Sequence, residues 1–204
     1  MAAFMRLLAI ALLALTMTSQ SASAKSILID FEYVPGPDGM LGTADDQHTS
    51  YSPMEPLREQ YAALGLHFSQ GTLFDSGSFS VDGTSHFISS TTPVGTFDMP
   101  VYGISIQSRS YWDATLTAYD AQGVVLAAYT LKSEGDWKTG YLAVASRVAI
   151  SSFSVRDTNP DHILNLDNLR LELSPAPVPE PTSLAMFAAG GLLLLAKSRR
   201  TRAM

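Results

Sequence analysis

The chain contains no cysteine at all among its 204 residues. That excludes disulfide bridges, thiolate metal sites and a cysteine nucleophile. Charge is also sparse, with 16% Asp, Glu, Lys and Arg. No uninterrupted apolar run reaches the ~20 residues of a full membrane span. There is no G-x-S-x-G, H-E-x-x-H, phosphate loop or dinucleotide fingerprint, so the common signatures of hydrolases, zinc proteases and nucleotide enzymes are missing. The four histidines, His48, His67, His86 and His162, are scattered. A triad from His86, Asp82 and a serine would need an arrangement that spacing does not reveal.

What is present is concentrated first at the two ends. Arg6 is the single charge before Lys25, Leu7–Leu15 is apolar, and Ala22-Ser23-Ala24 is an A-x-A site. This pattern predicts a secretory signal peptide over residues 1–24, removed by signal peptidase after Ala24. At the other end Val178-Pro179-Glu180-Pro181-Thr182 precedes an apolar run, Ser183–Ala196, and a basic end with Lys197, Arg199, Arg200 and Arg202. The two prolines keep the box extended. Fourteen helical residues at ~1.5 Å each cover roughly 21 Å, short of a hydrocarbon core of about 30 Å. Gly190 and Gly191 weaken that helix further. A short span suits temporary retention better than a permanent anchor, with the basic end on the cytoplasmic side.

The box, the short apolar helix and the basic end, in that order, resemble the sorting tail of PEP-CTERM proteins. The resemblance implies export by a Gram-negative bacterium, transient inner-membrane association and processing by an exosortase, with delivery to the cell surface or extracellular matrix. The expected organisation is a signal peptide (1–24), a folded domain (25–173), a Pro-rich linker with the box (174–181), a short transmembrane helix (182–196) and a basic cytoplasmic tail (197–204).

Setting those ends aside leaves a domain of near 150 residues, enough for one sizeable core. It carries eight of the 13 Lys+Arg and 18 of the 19 Asp+Glu, a net charge of −10. Such a field repels nucleic acid and anionic lipid. Periodicity predicts strands at Ile27–Tyr33, Leu64–Ser69, Val101–Gln107, Thr115–Tyr119, Val124–Leu131, Tyr141–Ala145, Val148–Val155 and Leu164–Leu173. Asp120-Ala121-Gln122-Gly123 is a hairpin turn. A short helix is expected over Glu55–Ala63. Many short strands with Gly- and Ser-rich connections predict an all-β fold, an antiparallel β-sandwich. The segments I-D-F-E, Y-A-A-L-G-L-H-F, P-V-Y-G-I-S-I, A-Y-D-A-Q-G-V-V-L and L-D-N-L-R-L-E-L are similar, in this order, to the jelly-roll domains of PEP-CTERM proteins. Those domains are themselves similar to carbohydrate-binding modules.

Three groups of residues are candidates for chemistry. Asp38, Asp45 and Asp46 share a glycine-rich stretch from Pro35 to Asp46, where carboxylates and carbonyls suit Ca²⁺. Val34 and Gly36 at the first and third positions rule out an EF-hand. The stretch resembles the acidic loops of thrombospondin type 3 repeats; the competing reading is a solvated acidic turn. The jelly-roll resemblance further implies a structural calcium tying the first strand to the last, at Glu32 and Asp167. Asp30 and Asp167 interrupt apolar strands, where a buried carboxylate needs a partner or an ion. Third, Tyr111, Trp112 and Trp137, with Tyr33, Tyr51 and Tyr102, either present flat faces to sugar rings or fill the core. The expected role is therefore a non-enzymatic matrix or exopolysaccharide-associated protein stabilised by calcium; the alternative is a secreted enzyme acting on polysaccharide.

Overall fold

The computed structural model describes residues 25–49, 54–75, 81 and 86–175. The expected signal peptide, the box Val178–Thr182, the apolar segment expected to span the membrane and the basic residues after it lie outside them, as do Tyr51 and Asp82.

Alternation of apolar and polar side chains builds an antiparallel sheet folded into two layers, a β-sandwich of jelly-roll type. The strands are β1 (Ser26–Ile29), β2 (Tyr33–Val34), β3 (Gln47–His48), β4 (Met54–Pro56), β5 (Leu66–Gln70), β6 (Thr72–Asp75) and β7 (His86–Ser90). Five longer ones follow: β8 (Val94–Ser110), β9 (Ala114–Tyr119), β10 (Val125–Leu131), β11 (Lys138–Asp157) and β12 (Leu164–Glu172). One layer runs β4-β6-β7-β12, with β1 also on β12, and continues into the second half of β8 and the first half of β11. The other runs from β5 through the first half of β8 and the second half of β11 to β9 and β10.

Two strands thus serve both layers, and their side chains show how. Along β8 the buried positions are Gly95, Val101 and Gly103, then Ile104, Ile106, Ser108 and Ser110: the inward set changes from odd to even. Along β11 it changes from Leu142, Val144 and Ile150 to Phe153, Val155 and Asp157, where the ladder with β8 slips on either side of Ile150. In β12 the set moves from Leu164 and Leu166 to Leu169 and Leu171, past a slip between Asp167 and Arg170. An inserted residue turns the next side chain to the opposite face, so each irregularity keeps apolar groups inward while the strand changes direction. The resulting core runs from Ile29 to Leu171 in one cluster, wholly within the described residues.

Three sequence expectations are corrected. Ile27–Tyr33 is not one strand: β1 ends at Ile29, Phe31 is left-handed, and Tyr33–Val34 pairs with β3. Tyr141–Ala145 and Val148–Val155 are one strand, bent through exposed Arg147 and Val148. Glu55–Ala63 is no helix. Met54–Pro56 pairs with β6, and only Ala62–Leu64 coils, as a single 3₁₀ turn closed by left-handed Gly65. Proline lacks the amide a helix interior needs, and here Pro56 ends an edge strand. Leu57 and Tyr61 then plug the core, with the Tyr61 ring edge-on to Phe31 at 5.6 Å. The Asp120 turn forms as expected: Asp120 Oδ1 accepts the amides of Gln122 and Val124, and Gly123 has φ 77°.

Candidate functional site

Three connections meet at one end of the sandwich. The β8–β9 link carries Tyr111, Trp112 and Asp113. The β10–β11 link ends at Trp137, and the β11–β12 link carries His162. Asp113 ties them together. It accepts from Lys132 Nζ (2.6 Å) and from the Ser133 amide (3.0 Å), and its own carbonyl accepts from the Thr158 amide (2.9 Å). The Lys132 ammonium, then the Ser133 amide, hold the Asp113 carboxyl below the usual carboxylate range.

On this frame the aromatic side chains form a continuous chain of contacts. Tyr111 meets Trp112 edge-to-face at 5.3 Å and Trp137 at 6.1 Å, and Trp137 lies 5.7 Å from the His162 ring. The Arg109 guanidinium sits over the indole of Trp137 at 5.6 Å, within cation–π range. Trp112 is 40% exposed and Trp137 48%. The open question about the tryptophans is thus answered: they do not fill the core, and they lie beside Tyr111. Tyr33 is elsewhere, edge-on to His48 at 5.1 Å. Tyr102 is half-buried on β8.

Beside Trp137 opens a cleft of about 750 Å³, lined by Ser89, Ser90 and Thr91 together with Asp161, His162 and Asn165. That size, and the mix of Trp137, Phe74 and Ile163 with a few polar groups, suit a small molecule or an oligosaccharide segment. His162 is placed by a buried carboxylate: its Nδ1 lies 2.9 Å from Asp157 Oδ2. Neither His162 nor Asp157 was singled out in the sequence, because five residues separate them and no motif marks the pair. Only the turn residues Asn159 and Pro160 between them hint at a tight connection.

The acidic loop lies apart from this cleft. Its carboxylates fold it: Asp45 Oδ2 accepts the Asp38 amide, Asp38 Oδ1 the Met40 amide, and Asp46 Oδ2 the amides of Gly42 and Thr43. Thr43 Oγ1 donates to Asp45 Oδ1 at 2.8 Å, and this bond is the main cause that lowers the Asp45 pKa. The backbone amide of Asp38, which donates to Asp45 Oδ2, adds to that lowering. Gly36 is required where it stands, since a Cβ there would lie 2.3 Å from the Asp45 carbonyl oxygen. Loop and β1 border a second hollow of about 960 Å³ that includes Asp30, Tyr33 and Asp46. Carboxylates and carbonyls are the donors calcium takes, yet among the described residues no three His, Asp or Glu side chains converge on one point.

The first and last strands are tied by a β-ladder, Ser26 to Glu172 through Ile29 to Leu169. At its end Asp30 Oδ1 accepts the Glu32 amide and buried Asp167 Oδ1 accepts the Asn168 amide. Both bonds brace left-handed residues, Phe31 (φ 62°) and Asn168 (φ 50°). The Glu32 carbonyl accepts both the amide and the hydroxyl of Thr49. Backbone amides thus partner the carboxylates Asp30 and Asp167.

No protein-family model matches the chain, and no curated protein does. Among solved structures it is similar to CBM29_1, a family 29 carbohydrate binding module from Piromyces equi. That match has 10% identity and a TM-score of 0.41, covering 76% of this chain and 94% of that one. A CBM29-2 variant complexed with mannohexaose gives 11% identity and a TM-score of 0.38, over 55% and 84%. The catalytic domain of a GH87 alpha-1,3-glucanase gives 12% and 0.39, over 65% of this chain and 30% of that one.

Proposed function

We propose that this is an exported polysaccharide-binding protein of the cell surface or matrix, which holds glycan at the Trp137 end of the sandwich. One observation carries the reading. Tyr111, Trp112 and Trp137 form one chain of ring contacts while both indoles remain open to solvent, next to a cleft lined with hydroxyl and amide groups. Leaving two large apolar rings in water is unfavourable by the apolar area they expose, and a stacked sugar removes that area while its hydroxyls reach the polar wall. The reading is binding without turnover.

Delivery in this reading rests on the Val178–Thr182 box and the segments after it. Calcium enters as a stabiliser of the 36–46 loop, because the neighbouring like charges of Asp38 and Asp45 favour a divalent cation between them. The test is a binding screen of the protein against soluble and insoluble polysaccharides. Wild type should bind at least one polymer, and Trp137→Ala and Trp112→Ala should each weaken that binding at least tenfold. Unchanged binding in both variants would place any glycan site elsewhere.

A further inference from the structure

Asp157 is the least exposed acid near the cleft: none of its side chain reaches solvent. A buried carboxylate is costly unless hydrogen bonds replace its water. Three do so. Ser110 Oγ and His162 Nδ1 both reach Oδ2, at 2.8 and 2.9 Å, and the Asn159 amide reaches Oδ1 at 2.8 Å. The acid therefore joins the end of β8, the end of β11 and the turn that follows.

This network settles the histidine's tautomer. An ionised carboxylate only accepts hydrogen bonds, so Nδ1 of His162 must carry the proton. In the neutral ring Nε2 is then left with a lone pair and no hydrogen. Nε2 has no protein hydrogen-bond partner among the described residues. The imidazole lines the cleft and stands 5.7 Å from the Trp137 indole, tilted by 51°. A pyranose laid on that indole brings its rim hydroxyls to the imidazole.

We propose that His162, held in one tautomer by Asp157, selects glycans that present a free hydroxyl beside the ring stacked on Trp137. An O-acetylated or O-methylated position has no proton to give. It would leave Nε2 unpaired and press a substituent into the wall. Sites that hydrogen-bond a substrate hydroxyl discriminate strongly against analogues lacking it. The inference rests on the polysaccharide reading above and adds the class: backbones whose hydroxyls are unsubstituted at that position. His162 acts on the ligand directly, and Asp157 is a positioning residue.

The experiment uses the full chain in detergent micelles and three neutral probes: a glucomannan, a xylan and a β-glucan. The first two are tested O-acetylated and after alkaline deacetylation, and the β-glucan before and after chemical acetylation. Calorimetry should show wild type binding an unsubstituted form at least tenfold more tightly than its acetylated partner. His162→Ala should bind both forms alike, while His162→Gln, which restores a carbonyl acceptor, should recover part of the preference. ¹⁵N spectra of labelled histidine should show Nδ1 protonated and Nε2 bare in wild type. In Asp157→Asn, whose amide can donate to Nδ1, that pattern should reverse and the preference should vanish. Equal affinity of wild type for both forms, with binding still lost in Trp137→Ala, overturns this inference alone. A preference that persists in His162→Ala does the same. Failure of wild type to bind any form of the three polymers overturns it together with the aromatic site.

Discussion

Gly95 on β8 faces Phe153 across the ladder to β11, and the ring lies directly over the glycine. A Cβ at Gly95 would stand 2.3 Å from Phe153 Cε1, 2.8 Å from Cζ and 3.1 Å from Cδ1. A flexible exposed ring would swing aside. Phe153 has no such freedom: it is fully buried, stacked on Phe97 at 5.6 Å and edge-on to Phe68 at 6.2 Å. Two effects compete in Gly95→Ala. Reduced freedom of the unfolded chain would stabilise by about 0.4–1 kcal/mol. Overpacking costs about 1–3 kcal/mol, and a contact this short against an immobile ring puts the cost in the upper part of that range. Net destabilisation follows, of about 1–2 kcal/mol, which for a domain of this size lowers Tm by roughly 2–8 °C. Thermal melts of a 25–175 fragment, which contains the whole buried cluster, would measure it. The decisive arm is Phe153→Leu, which removes the ring from above the glycine. In that background Gly95→Ala should cost at least about 0.5 kcal/mol less than in wild type, the coupling expected of residues in contact. An equal cost in both backgrounds would refute the steric account, and a Tm that rises in the single variant would show that Phe153 moves.

Other outcomes follow from features already described. His67 lies between Glu59 and Asp98, at 2.6 and 2.8 Å, and these two bonds raise its pKa above the ordinary histidine value. A raised folded-state pKa gives stability that is fully present below the unfolded value, about 6.5, and is lost as pH climbs through the folded value. The wild-type melting temperature should therefore drop between pH 6 and pH 9 more than that of Glu59→Gln/Asp98→Asn, and parallel curves would contradict the assignment. Calcium at 100 times its Kd should add about 2.7 kcal/mol, several degrees of Tm, that Asp45→Asn/Asp46→Asn abolishes. Identical melts in Ca²⁺ and EDTA would leave the loop a self-braced acidic turn. Mass spectrometry of the surface-released protein should place its C-terminus between Pro179 and Thr182; an intact Met204 would remove the sorting-tail reading.

How much of this was legible follows from what each signal depends on. The β9 and β10 strands and their Asp120–Gly123 turn are local, set by alternation and one left-handed glycine, and they were read almost to the residue. β8 was read only over Val101–Gln107, because its inward parity changes near Tyr102 and one period no longer fits the whole strand. β11 was split at its bend, where exposed Arg147 and Val148 interrupt the alternation and the ladder with β8 breaks between Ala145 and Ile150. β6 and β7 went unread, being runs of four and five residues, too short to display a period. The expected helix failed because the need to seal the core with Leu57 and Tyr61 outweighed local propensity. At the site, the aromatic residues could be nominated by type, but their exposure and their meeting required three loops to converge. The Asp157–His162 pair was invisible, since a catalogue of motifs has no place for a carboxylate five residues before a histidine on opposite sides of a turn.

The bends in β8, β11 and β12 have a further consequence, for how this chain can change over time. Each acts as a phase shift, so the number of residues in the bend encodes which side chains face inward beyond it. Arg147 and Val148 are exposed and make no core contact, and a site-by-site view would rank them as free to vary. In identity they are. In number they are not: removing one would leave both halves of β11 able to pair but would turn either Leu142 and Val144 or Phe153 and Val155 into solvent. A lineage of such proteins should therefore drift freely in composition at these surface corners while keeping their length, and place its insertions and deletions in the tips of the end loops.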